Sequence, residues 1–224
     1  MSLYSVIMLT ARVTDAYGWQ RAELLLFNGI YGVIVGIFHM FISINMGRLS
    51  KVIHMGELDG ILLKPIDSQF AVSLWMVNFA TIFRILMALG YTVWITGQLH
   101  LALTVPQLLL FVVLALSALI LLYSLWFLIL TNLIWFSNMT NLVLFMYSFE
   151  SMARFPKEML QQLSSFLFVF VMPLALVINT PSRALLAKLD YKDALAVLVL
   201  AAGMWAASRW YWRFALRHYT SASS

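Results

Sequence analysis

The chain has 224 residues, of which 63% are hydrophobic and 10% charged, with a mean hydropathy of +0.91. A water-soluble domain carries charge on roughly a quarter of its positions, and no soluble fold of this length has enough interior to hide so much apolar side chain. The formal charge of +5 is scattered in short segments between apolar runs, which excludes a phosphate-tracking stripe and points away from nucleic acid, toward anionic lipid headgroups and protein partners.

With no cysteine, disulfides, thiolate chemistry and zinc-thiolate sites are out of reach. Residues 1–10 show no basic start followed by an apolar core and a small-residue cleavage site, so no removable signal peptide is expected there.

A helix needs about 20 apolar residues to cross the hydrocarbon, because its backbone groups find no other hydrogen-bond partners in lipid. The first clear span is residues 24–46, without formal charge and followed by Gly47, Arg48 and Lys51. Gly32 and Gly36, helped by Gly29, make a small-residue face that permits close helix packing, inside the subunit or at a seam between two subunits. His39 reads as a packing residue, since a proton relay there requires a buried acidic partner.

Residues 47–69 form an amphipathic stretch. Val52, Ile53, Met55, Leu58, Ile61, Leu62 and Leu63 return at helical spacing with Arg48, Lys51, Glu57, Asp59 and Lys64 between them, the pattern of a piece lying along the interface. Gly56 and Gly60 allow bends, and Pro65 limits its continuation. On pattern alone this is either a surface helix linking two spans or a knob through which a cytoplasmic motor pushes.

The second span is expected over residues 70–96, with Arg84 in its middle. An arginine at the bilayer centre costs about 2.5–3.5 kcal/mol on insertion scales. It must snorkel, bond backbone or Asn78 inside the bundle, line a path for an anionic group, or pair with Glu150, the next formal charge along the chain. The 49 residues 101–149 carry no formal charge and would make a rod about 74 Å long, against a hydrocarbon of about 30 Å. Two crossings joined at Thr131-Asn132 or at residues 137–141 fit better.

The next run, residues 160–178, is interrupted by Pro173 and closed by Asn179-Thr180-Pro181, so the segment 157–180 is expected to kink or to dip in and return. The last run, residues 194–212, ends in Arg209-Trp210-Tyr211-Trp212-Arg213, a headgroup-layer signature. The expected fold is an all-α polytopic bundle of about five membrane segments with a short amphipathic coupling helix. Lysine and arginine counts in the loops do not orient it.

Enzyme chemistry finds little to stand on. His39, His54, His100 and His218 lie in different segments, with no His-Glu-x-x-His and no Gly-x-x-x-x-Gly-Lys-Ser/Thr stretch, so no metal site and no ATP-hydrolysing loop is expected. Asp59 and Asp67 read as capping or solvent-facing carboxylates, and without a pocket they do not make general acid/base catalysis.

The block Gly56-Glu57-Leu58-Asp59-Gly60-Ile61-Leu62-Leu63-Lys64-Pro65-Ile66-Asp67 resembles the loop after the second membrane helix in permease subunits of type-2 ATP-binding-cassette transporters, the ABC-2 family. Gly18-Trp19 and Glu23-Leu24 resemble the segment before that helix. Phe155-Pro156, Pro173, Thr180-Pro181 and Leu216-Arg217-His218-Tyr219 resemble the family's late helices and end.

The resemblance covers nearly the whole chain and implies one permease domain, residues 1–224, in a plasma membrane, the bacterial inner membrane. It implies a second permease subunit, identical or related, and two separate ATPase subunits that hold the ATP and Mg, so this chain would bind no cofactor itself. It puts residues 47–69 in the cytoplasm, with Arg48, Lys51, Val52, Gly56, Glu57, Leu58, Asp59, Lys64 and Pro65 passing the motor's stroke into the spans, usually for export.

A full crossing precedes the counterpart of Gly18-Trp19 in the family, where only Tyr4 to Leu9 stands here, so a coding start placed too late is expected. The competing accounts are a membrane scaffold or assembly subunit and a proton-coupled carrier. The carrier is disfavoured because Glu150 is the only deep acidic residue.

Overall fold

A computed structural model of the protein describes residues 18–136, 141–161 and 165–219. The stretch Tyr4 to Leu9 and most of the expected turn at residues 137–141 lie outside the described residues. What is described is all-α, with four helices long and apolar enough to cross a membrane: Arg21–His54, Phe79–Gln98, Val105–Ile134 and Tyr191–Arg217.

Helix α1 (Arg21–His54) opens on a reciprocal cap between Gln20 and Glu23 and runs for 34 residues. That is about 51 Å, far more than the hydrocarbon requires, so its C-terminal turns project beyond it. The helix does not end with the uncharged run at Met46: Leu49, Val52 and Ile53 carry its buried face onward through Gly47. A π-helical turn, His39–Ser43, interrupts the α geometry midway, and such turns re-aim side chains and free carbonyls.

The amphipathic stretch is not one helix. It comprises the end of α1, a turn at Gly56 in the left-handed region (φ +71°), which glycine alone adopts without strain, and a five-residue helix α2 (Leu58–Leu62). Helix α3 (Ser68–Ser73) follows, and Asp67 caps it by accepting from the Phe70 amide at 2.9 Å.

The second span also departs from expectation, because the chain breaks over residues 74–78 before α4 (Phe79–Gln98) begins. Asn45 on α1, buried, explains the break. Its side-chain amide donates to the Met76 carbonyl at 2.8 Å and its oxygen accepts from the Met76 amide at 2.9 Å, replacing both helical bonds of that residue. The Asn78 amide then donates to Met40, inside the π-helical turn. Arg84 is therefore not central in its span. It lies near the start of α4, about 7–8 Å along the helix axis.

Helix α5 (Val105–Ile134) ends in a 3-10 turn where the Asn132 amide donates back to Leu128 and Ile129 and its oxygen accepts from the Tyr211 hydroxyl. The rest of the uncharged tract is not a second full crossing: α6 (Leu142–Glu150) has nine residues, about 14 Å. A 3-10 turn, Ser151–Arg154, and a short α7 (Lys157–Leu160) follow.

Helix α8 (Ser165–Leu185) passes through Pro173 and Pro181 instead of closing at Asn179-Thr180-Pro181. Residues 174–182 are buried among neighbouring helices, the setting in which membrane helices tolerate proline. Helix α9 (Tyr191–Arg217) completes the described fold.

Two packing units meet along α5. Helices α8 and α9 lie along it, while α4 lies along α1. The join is aromatic, with Trp126 on α5 against Phe38 of α1 and Phe127 against Trp212 of α9. Outward, Phe83, Met87 and Val93 on α4 and Leu109 on α5 are exposed, an apolar belt of the kind that faces lipid.

Candidate coupling end and intramembrane cavity

The end of the bundle that carries α2 is braced by polar bonds from distant segments. Both guanidinium nitrogens of Arg209 donate to Asp67, at 2.7 and 2.8 Å. Trp212 donates to Ser68 at 3.0 Å, and Gln69 donates to Tyr123 and Ser208 at 2.9 and 3.3 Å. These bonds tie α3 and its capping residue to α5 and α9.

The Arg209 guanidinium holds the Asp67 carboxyl below its ordinary value, with the Phe70 amide adding to the effect against a smaller opposing effect of burial. A depressed carboxylate contributes stability above its unfolded value, about 3.8, and loses it as pH falls through the lower folded value. Arg209→Gln is therefore expected to lower the thermal midpoint at about pH 7, by a margin that shrinks as the pH falls below the unfolded value of 3.8. Melting curves of both proteins across that range check it, and a gap that does not shrink in acid would rule the pair out as its source.

The residues of the amphipathic block divide by burial. Lys51, Glu57, Lys64 and Pro65 are exposed, while Val52 and Leu58 are buried inside the fold, Leu58 completely. Gly56 and Asp59 are half-buried and Arg48 is exposed. Arg48 and Lys64 both lie over the Trp75 ring, 4.6 and 3.9 Å from its centre. Beside them runs an open groove of about 790 Å³ whose lining includes Arg48, Lys51, Val52 and Glu57. Charge around an apolar floor is what a docking partner reads.

A second cavity, about 550 Å³, opens between α1, α4, α6 and the turn after α6. Its polar lining includes Tyr31, His39, Arg84, Tyr147, Glu150 and Arg154. The π-helical turn sets His39 and Ser43 toward α6, where His39 Nε2 lies 2.9 Å from Glu150 Oε1 and Ser43 meets the Tyr147 hydroxyl at 2.8 Å. Glu150 is only 3% exposed.

Arg84 does not pair with Glu150, although both line the same space, and among the described residues it forms no ion pair. Arg154, passed over in the sequence, lies over the Tyr31 ring at 5.4 Å. The His39–Glu150 contact joins positions 111 residues apart, and no local pattern announces it. The available signal was that two lone polar residues in apolar runs each needed a partner.

Gly29, Gly32 and Gly36 face α4 within the subunit. A Cβ at these positions would meet Thr92 Oγ1 at 2.5 Å, Ala88 Cβ at 2.9 Å and Ile85 Cγ1 at 2.8 Å respectively. The end opposite α2 carries three ion pairs among the described residues: Lys157 with Asp193, Arg183 with Glu158 and Lys188 with Glu23. Among the described residues no three His, Asp or Glu side chains gather as a metal site.

Compared with known proteins, residues 1–223 match the family model described as ABC-2 family transporter protein. No curated protein and no solved structure matches the chain.

Proposed function

Because the chain belongs to the ABC-2 family of transporter proteins, a family of membrane permeases, we propose that it is the membrane-spanning subunit of an exporter driven by a separate ATP-hydrolysing subunit, with a second permease subunit beside it. The observation that carries this reading is the braced end of the bundle. There α1 outruns the bilayer thickness, and α3 with its cap, directly after α2, is bonded to α5 and α9 through Asp67, Ser68 and Gln69. A push on that end reaches four helices at once.

In this reading Arg48, Lys51, Glu57, Lys64 and Pro65 meet the ATPase, with Gly56 and Asp59 at the turn. Val52 and Leu58, being buried, carry the force inward. The α2 end faces the cytoplasm of a plasma membrane, the bacterial inner membrane. It holds Arg48, Lys51, Lys64, Arg209, Arg213 and Arg217 against Glu57, Asp59 and Asp67, a positive balance suited to an anionic cytoplasmic leaflet. At the opposite end Lys157, Arg183 and Lys188 are paired with carboxylates.

The test is co-purification with a co-expressed ATPase subunit. Glu57→Lys with Lys51→Glu, both at exposed positions, is expected to cut ATPase recovery and permease-stimulated hydrolysis at least about tenfold with membrane level unchanged. Full stimulation in that variant would remove the α2 end from the coupling path. Recovery of partner proteins with no effect on any ATPase would favour a scaffold subunit instead.

A further inference from the structure

We propose that the cavity between α1, α4 and α6 binds an anionic group, a phosphate or carboxylate borne on an apolar tail, with Arg84 and Arg154 holding the anion and Glu150 accepting a bond from a hydroxyl or ammonium beside it. This names the chemical class of the cargo and rests on the permease reading only for the cavity's place on a transport route.

The unsatisfied groups define the ligand. One Glu150 oxygen is taken by His39, while the other is buried and without a hydrogen-bond partner among the described residues. Arg154 Nε is likewise buried and unbonded. Neither Arg84 nor Arg154 is in an ion pair among the described residues, so two guanidiniums share the space with one carboxylate that His39 already engages.

At membrane depth such an imbalance marks a functional site, and an incoming anion removes it. The free carboxylate oxygen asks for a donor, which places a hydroxyl or ammonium next to the anion. A volume of about 550 Å³ falls within the ordinary range for small-molecule sites.

The tail follows from the outer wall. Arg84, itself exposed at the cavity's rim, stands between Phe83 and Met87, 75% and 77% exposed on the lipid-facing side of α4, and the buried Ala88 continues the apolar lining inward. An amphiphile can reach this cavity sideways, with its chain never leaving an apolar medium.

Calorimetric titration of the purified full chain in detergent, without any ATPase, tests this. The probes are dodecyl phosphate, inorganic phosphate and dodecyltrimethylammonium. Dodecyl phosphate is expected to bind, and Arg84→Gln and Arg154→Gln are each expected to weaken it at least about tenfold, as loss of one member of a close charge pair does. Glu150→Gln is expected to tighten it by removing a like charge, a gain that misfolding cannot produce.

If inorganic phosphate binds as tightly, the same arginines recognise a free oxyanion; if it is silent, the ligand is an amphiphile. Equal dodecyl phosphate affinity in the wild type and these variants, or equal binding of the cationic detergent, would overturn the assignment. Because no ATPase is present, this result is independent of whether the α2 end couples to one.

Discussion

Gly32→Leu is expected to push α4 off α1 and to cost the protein about 2–3 kcal/mol of stability, the upper part of the usual range for overpacking. Added atoms at Gly32 meet Ala88 Cβ, 2.9 Å from the first of them, and that carbon is fixed to the α4 backbone and cannot rotate aside. Gly36 is more forgiving, since Ile85 can change rotamer.

Helix α4 has little else to hold it. Only Ile85, Ala88 and Ile95 are buried along Ile82–Gln98, and all three belong to the face that meets α1 and its neighbours. Between helices in lipid there is no hydrophobic drive, so close packing of small residues supplies much of the attraction. Thermal unfolding in detergent measures the loss. Gly90→Leu is the control, because a Cβ there meets nothing within 4 Å. A Gly32→Leu protein as stable as Gly90→Leu would show that the glycine face does not hold α4.

His39→Leu is expected to destabilise the protein by about 1–3 kcal/mol, the cost of leaving the buried Glu150 carboxylate without its hydrogen-bond partner. Glu150 is 3% exposed and His39 Nε2 is the only hydrogen-bond partner found for its carboxylate among the described residues. Replacing both, His39→Leu with Glu150→Leu, is expected to recover most of the loss, because two apolar groups of similar size leave nothing unsatisfied.

A double-mutant cycle on chemical denaturation reads the coupling directly. If the double variant is no more stable than His39→Leu, the pair is not what fastens α6 to α1. The alternative loss, of the Ser43–Tyr147 contact one turn away, would then be the one to test.

Much of this molecule is written in short-range pattern. The spans around residues 24–46 and 194–212 follow from runs of apolar residues, because a membrane helix satisfies its backbone internally and needs no partner to be recognised. The small-residue face at Gly29, Gly32 and Gly36 is visible for the same reason: its meaning depends on helical spacing alone. The block from Gly56 to Asp67 carries the family likeness in twelve consecutive residues.

The candidate cavity was only half visible. Arg84 and Glu150 attract notice as lone charges in apolar surroundings, yet the extent of the apolar run puts Arg84 mid-span, and nothing in the local pattern sets His39 or Arg154 beside them. Asn45 is the clearest case of a local rule overridden. Residues 74–78 are apolar and fit a helix, but one buried amide on α1 supplies both backbone bonds of Met76, and the helix starts later. Pro181 shows the reverse, a helix breaker absorbed because its turn lies inside the bundle.

Membrane residence and helical class thus rest on patterns within a few turns of chain, and so does the presence of a small-residue face on α1, whose partner, α4, only the packed structure shows. The bracing of α3 by α5 and α9, the break before α4 and the His39–Glu150 pair join segments tens to more than a hundred residues apart. Such contacts are chosen by which buried polar groups can satisfy each other once the helices have packed, and that choice exists only in three dimensions.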